Sequence, residues 1–391
     1  MANILSPLCG CKGTRMNLDS PIYLDYNGTT PIDPEVAEAI GPFLTEYFGN
    51  PSSSHAYGYA AAEAVSTARR QVADLLGGLP IEIVFTAGGS ESDNLAIQGV
   101  AMALRARGNH IVTQQTEHPA VLATCRYLEM HLGFEVTRLP VDRTGLVDPQ
   151  SLAAAITART VLVTIMHANN ETGVLQPIRE LSAIAHSRGV VFHTDAAQSA
   201  GKVPVHVDEL GVDLLTIAGH KLYAPKGIGA LYVRPGTPLN PVIHGASQES
   251  GRRAGTENVP YIVGLGVASR LAKEKMAHDI PRIQALRDRL QRRLSGCGWV
   301  LNGHPVERLP NTLNIGKTGR DGEQILAHTP EIAASTGAAC HAGRTDPSGV
   351  LLSMGIPREQ ALGAVRLSLG RWTTEDQVDR AADALAQAGG N

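Results

Sequence analysis

The chain has 391 residues, of which 43% are hydrophobic and 18% charged, and a formal net charge of −3. That balance can fill a substantial core and excludes a disordered chain, and the near-neutral charge leaves no basic footprint for nucleic acid or an anionic membrane. No apolar run reaches the roughly 18 residues of a membrane-spanning helix, and the opening MANILSPLCGCKGTRMNLDS lacks the basic start and apolar core of an export signal.

In chain order, EVAEAIGPFLTEYF has helical periodicity and leads into a Gly/Pro/Ser loop, FGNPSSSHAYG. AAEAVSTARRQVADLLGG predicts a second amphipathic helix, stopped by its glycines. EIVFTAGG reads as a buried strand and SESDNLAIQGVAMALRARG as a helix. The alternation continues through HIVTQQ, PAVLATCRYLEMH, FEVTRLP, PQSLAAAIT and TVLVTIMHA. IRELSAIAHSRG is again helical, and the strands VVFHTD, DLLTIAG and IGALYV follow. Short β-branched runs between helices predict an α/β fold, a mostly parallel sheet wrapped by helices.

Beyond residue 262 the texture changes to two long charged helices, VGLGVASRLAKEKM and IPRIQALRDRLQRRL, and then to strands (NTLNIG, AVRLSLG) among helices. The expected organisation is a tail (1–16) packing on the small domain, a large domain (17–262) and a smaller α+β domain (263–391). Cys9, Cys11, Cys125, Cys297 and Cys340 are odd in number and scattered. They do not form a disulfide framework, so free thiols in a reducing cytoplasm are expected. Cys9 and Cys11 lack a companion His or Cys cluster, and a tail segment accounts for them better than a metal site.

In an open parallel sheet, ligands bind beyond the carboxyl ends of the strands. Unusual polar residues collect at such places here. Gly88-Gly89-Ser90 opens a helix, which suits an anion, although taken alone an ordinary Gly-rich turn with Ser90 as N-cap is the better reading. Thr116-Glu117-His118 and Asn169-Asn170 follow two further strands. Asp195 ends an apolar strand, where it either meets a cation or caps a helix, and Gln198 lies just beyond. His220-Lys221 follows DLLTIAG, and a lysine in such apolar surroundings has a lowered pKa and becomes nucleophilic. Finally, Cys340 lies in a small-residue stretch beside His341 and Arg344, positive neighbours that favour a thiolate. An amine, an anion cradle, a buried Asp and amide donors together describe a pyridoxal phosphate pocket.

The motifs FGNPSS, GGSESDNLAI, TEHPAV, ANNETG, HTDAAQ, GHKLYAPKGIGALYV, GRRAGTENV and PSGVLLSMG resemble those of the cysteine desulfurase and selenocysteine lyase family, class V aminotransferases with the large pyridoxal phosphate fold (fold type I). The resemblance runs from Tyr23 to about Asp379. It implies Lys221 as the cofactor-bearing lysine, His220, Gly89 and Ser90 at the phosphate, and Thr256 reaching that phosphate from the other subunit of a homodimer. It places Asp195 at the pyridine nitrogen, Gln198 at the ring oxygen, His118 over the ring, and Asn170 near the ring oxygen and the substrate carboxylate. Arg366 would clamp that carboxylate and Cys340 would accept sulfur. The implied reaction converts L-cysteine to L-alanine with a persulfide on Cys340 for an acceptor protein. A selenocysteine lyase, or more remotely a class V aminotransferase that does not use Cys340, are the alternatives. Two departures stand out: Ala218 occupies a position where the family often has serine, and TIAGHK and GAACH look more like the selenocysteine lyase branch, whereas HKLYAPKG and GRRAGTENV look like the nitrogen-fixation type of desulfurase. Gly28 stands where the family usually has alanine, a change expected to matter little.

Overall fold

The structure is a computed structural model that describes residues 20–336 and 346–390. Strand β1 (Ile22–Tyr23) precedes helices α1 (Pro34–Thr45) and α2 (Ala56–Leu76). The alternating part follows as β2 (Ile83–Thr86), α3 (Gly89–Ala103), β3 (His110–Gln114), α4 (Pro119–Leu132), β4 (Glu135–Leu139), α5 (Pro149–Ala155), β5 (Thr160–Thr164), α6 (Ile178–Ser187), β6 (Val191–Asp195), α7 (Val207–Leu210), β7 (Leu214–Ala218) and β8 (Gly229–Val233).

These strands form one seven-stranded sheet in the order β2-β8-β7-β6-β5-β3-β4. Strand β8 runs antiparallel to both its neighbours, and the pairs from β7 to β4 are parallel. All residues of β3, β5 and β7 are buried, which is why their sequences do not alternate apolar with charged residues. The two faces are visible in β2: Ile83 and Phe85 join the cluster with α1, α2 and α6, while Val84 packs with Leu95 and Ile97 of α3 and Leu128 of α4. Edge strand β4 is the exception, with Glu135 exposed.

Helix α8 (Val259–Ser295) is continuous where the sequence suggested two helices. Pro281 sits inside it and removes one backbone hydrogen bond. The residues just before it, Ala277 and His278, are exposed, so the freed carbonyl meets solvent. The remainder comprises β9 (Val300–Leu301), β10 (Thr312–Gly316), α9 (Gly322–Ala327), β11 (Ile332–Ala333), α10 (Gly349–Ser353), α11 (Arg358–Leu362), β12 (Ala364–Ser368) and α12 (Glu375–Gly390). Strands β12-β10-β9 form an antiparallel sheet, and β1 pairs in parallel with β11.

The packing divides differently from a single cut at residue 262. Ala268 and Leu271 of α8 belong to the large cluster, whereas Ile283, Leu286 and Leu290 belong to the smaller one. Ile22 and Leu24 join that smaller cluster with Leu313, Val365 and Leu385. From Ile22 onward the described chain therefore runs from the small unit to the large one and returns along α8.

Candidate active site

The carboxyl ends of β2, β3, β5, β6 and β7 open onto a cavity of about 470 Å³. Among the described residues to which the resemblance gives a role, all line it except Thr256. Thr256 is exposed and borders a separate recess with Arg253 and Glu249. Cys340, like Cys9 and Cys11, lies outside the described residues.

At the end of β2, Gly88 and not Ser90 is the N-cap of α3. Gly88 has φ 151° and ψ −179°, a conformation open to glycine alone. No side chain caps α3, so N–H groups of its first turn face the cavity side without a side-chain acceptor, beside the exposed Ser90.

Lys221 follows β7 by one short turn. Its Nζ donates to the backbone carbonyls of Asn27 at 2.5 Å and Gly28 at 2.6 Å. Burial, reinforced by the Arg366 cation, brings its pKa down to about 8. His220 has Nδ1 3.2 Å from Thr29 Oγ1, and burial together with Lys221 lowers its pKa to about 4. It is a neutral hydrogen-bonding group at pH 7.

Asp195 is buried at the end of β6, and its Oδ1 accepts from the Ala197 N–H at 2.8 Å. Burial raises its pKa while His118 and Lys221 oppose the rise. The carboxyl caps a turn at Ala197 and opens no helix, and Lys221 is the cation near it. His118 is the N-cap of α4, and its Nδ1 accepts from the Ala120 N–H at 3.1 Å. Since that lone pair is engaged, the proton of the neutral ring is assigned to Nε2. Burial lowers the His118 pKa and so favours that neutral ring.

Arg366 enters from β12 of the smaller unit and is almost fully buried. Its Nη2 donates to Asp25 Oδ1 at 2.6 Å and its Nη1 to the Asn170 carbonyl at 3.1 Å. Gln198 Nε2 donates to the Asn27 carbonyl at 3.0 Å.

Several residues that organise this site were not singled out from the sequence. Asn27 is the most connected. Its backbone oxygen receives Lys221 and Gln198, its Nδ2 donates to Thr312 Oγ1 at 2.8 Å, and its Oδ1 accepts from Asn311. It thereby ties the large unit to β10. Asp25 holds Arg366, and the carboxyls of Asp93 and Glu117 are buried at the cavity. Glu117 was visible only as a neighbour of His118, and Asp25 and Asn27 only as residues just after Tyr23, where the resemblance begins.

Residues 22–381 match the family model described as Aminotransferase class-V. The chain belongs to this family, whose enzymes work with pyridoxal phosphate, and its similarity there is to the cysteine desulfurases. It is 49% identical over 370 residues to the cysteine desulfurase IscS of Dictyoglomus turgidum, covering 93% of this chain and 93% of that protein. It is 46% identical over 381 residues to the cysteine desulfurase IscS of Methanosarcina thermophila, covering 96% and 94%. Among solved structures, a NifS-like protein superposes with a TM-score of 0.89 at 36% identity, over 94% of this chain and 98% of that one. SspA in complex with cysteine gives 0.81 at 38% identity, over 90% and 99%.

Proposed function

We propose that the protein is a pyridoxal phosphate-dependent cysteine desulfurase, which converts L-cysteine to L-alanine and leaves the sulfur as a persulfide on Cys340. The observation that carries this reading is Lys221, an amine at the end of β7 with its pKa lowered to about 8, in one cavity with Asp195, His118 and Arg366. Names of the relatives favour cysteine over selenocysteine as the substrate.

The donor set fits the cofactor. The uncapped start of α3 with Gly89 and Ser90, together with His220, suits its phosphate, and the buried Asp195 suits a protonated ring nitrogen. Lys221 would attach it, with Gln198 and Asn170 at the ring oxygen. When bound, it supplies an electron sink for the pair left at the substrate α-carbon.

The chain's own groups do the rest. Arg366 binds the substrate carboxylate beside Asn170. The neutral amine of Lys221 takes the α-proton at Nζ, and His118 moves protons through Nε2. The Cys340 thiolate attacks the substrate sulfur. An S–S bond forms as the Cβ–S bond breaks, the bonding pair stays on the carbon side, and protonation there yields L-alanine. One cysteine and one thiol thus give one alanine and one persulfide, with no external oxidant. A sulfur-acceptor protein then takes the outer sulfur.

A homodimer in which Thr256 of a second copy completes the phosphate site is part of the proposal. Its support is the exposure of Thr256 and of Phe48, Tyr57 and Tyr59 around the start of α2. A cytoplasmic location is also part of it. Among the described residues, no helix is long and apolar enough to cross a membrane.

The test measures alanine and sulfide formed from L-cysteine and a reducing thiol by wild type and by Cys340→Ala. The expected result is alanine from wild type and loss of turnover in the variant, with its cofactor absorbance retained. Undiminished turnover in Cys340→Ala would favour a class V aminotransferase that does not use this thiol. Selenocysteine turnover that survives in the variant while cysteine turnover is lost would favour the lyase.

A further inference from the structure

Arg366 already holds a carboxylate from its own chain. Asp25 Oδ1 lies 2.6 Å from Arg366 Nη2, with the arginine side chain 2% exposed and that of Asp25 26%. The contact depends on a neighbour. A Cβ built on Gly28 would fall 2.4 Å from Asp25 Oδ2 and 2.9 Å from its Cγ. Gly28 is not among the glycines with positive φ, so this position uses the missing side chain for space and not for backbone freedom.

Neither backbone has room to yield. The Gly28 N–H donates to the Asp25 carbonyl at 2.9 Å, closing a tight turn, and the same carbonyl accepts from the Tyr23 hydroxyl at 3.1 Å. The Gly28 carbonyl accepts from Lys221. A methyl group at position 28 is therefore relieved by rotation of the Asp25 carboxylate, away from the place where it meets the guanidinium.

We propose that Asp25, admitted by Gly28, is an internal competitor for Arg366: it weakens the hold of the site on an amino-acid carboxylate, and so limits the retention of the product L-alanine as well as the affinity for substrate. The inference rests on the reading of Arg366 as the carboxylate-binding residue. Physically, an incoming carboxylate shares a buried guanidinium with an anion already in contact with it. Like charges at such a distance repel appreciably inside a protein. The contact also holds the plane of the guanidinium, so Asp25 is a positioning residue and takes no part in the bond changes.

The test is a calorimetric titration of the cofactor-loaded, full-length protein with L-alanine and, separately, with L-alaninamide, which lacks the carboxylate. Asp25→Asn keeps the shape and removes the charge. The expected result is L-alanine binding at least about threefold tighter, with L-alaninamide binding unchanged. A lower KM for L-cysteine accompanies it. Gly28→Ala should tighten L-alanine binding in the native background and add nothing in an Asp25→Ala background, a non-additivity that shows one residue acting through the other. Equal or weaker L-alanine binding by Asp25→Asn, or a parallel change for both ligands, overturns the proposal and leaves the desulfurase reading intact. A wild-type protein that binds neither ligand overturns both.

Discussion

Lys202 Nζ donates to Gln198 Oε1 at 2.8 Å, which fixes the sense of the Gln198 amide: its oxygen faces the lysine nitrogen and its NH2 group faces the Asn27 carbonyl. Lys202 also lies 3.3 Å from Asn27 Oδ1. Burial and the nearby Lys221 and Arg366 cations pull its pKa well below the usual lysine value. It is thus a costly residue to keep, and the contact with Gln198 gives it a use.

Replacing it tests that use. Lys202→Met leaves the buried Gln198 oxygen without its donor, a loss of about 1–3 kcal/mol. With Gln198 at the cofactor ring oxygen, the expected outcome is roughly tenfold weaker pyridoxal phosphate binding, read by fluorescence titration of the cofactor-free protein. An unchanged dissociation constant would separate Lys202 from the site.

The lowered Lys221 pKa predicts a pH dependence with a definite sign. In the cofactor-free protein the amine titrates near 8, against 10.5 for an ordinary lysine. Capture of the cofactor aldehyde needs the neutral amine, so its rate should rise up to about pH 8 and then level off. Stopped-flow absorbance gives the profile, and a rate still climbing tenfold per pH unit above 9 contradicts the assignment. For stability, the unfolded chain binds more protons than the native one between about 8 and 10.5, so this group makes the native state more stable as pH rises through that window. Below 8 its penalty is constant.

The site was legible where one strand end carries one unusual residue. Lys221, Asp195, His118 and Asn170 each follow an apolar run, and the sheet order brings those ends together. Asp25 and Asn27 were not legible in the same way. Both precede α1: Asp25 acts through Arg366, and Asn27 receives Lys221 and Gln198 on a backbone carbonyl, which leaves no mark on residue type. Gly28 shows the same limit, since a change from alanine reads as minor until the carboxylate next to it is seen. The alternating sheet was readable throughout its length, but α8 was read as two helices that the structure joins through Pro281, where the residue four before it is exposed.

A second prediction about stability concerns the loop that carries Thr256. Glu249 is buried with φ 48°, an uncommon conformation for a side-chain-bearing residue. It is held by a two-point pair with Arg69, Nη1 to Oε2 at 2.7 Å and Nη2 to Oε1 at 2.7 Å, and accepts from the Phe85 N–H at 3.0 Å. Arg69→Met removes the cation and leaves a buried carboxylate, a change that costs about 3–5 kcal/mol. A clearly lower Tm is the expected outcome, whereas Arg69→Met with Glu249→Leu should recover much of it. A single variant as stable as wild type would mean the pair is dispensable.

Glu117 makes a prediction on the other side of the pH scale. Its side chain is buried beneath the cavity, its Oε1 accepts from the Met166 N–H at 2.7 Å, and burial pushes its pKa up to about 8. It is therefore mostly protonated at pH 7 in the native state and ionised in the unfolded one. Between 4.5 and about 8 the native state binds more protons, so this group lowers stability progressively as pH rises through that interval. Glu117→Gln keeps an acceptor for Met166 and cannot ionise. Thermal unfolding from pH 5 to pH 8 should show the variant losing less stability than wild type as pH increases, the two converging at the acid end. Parallel curves would mean that Glu117 is ionised in both states, with the carboxylate charge neutralised by another group in the cavity.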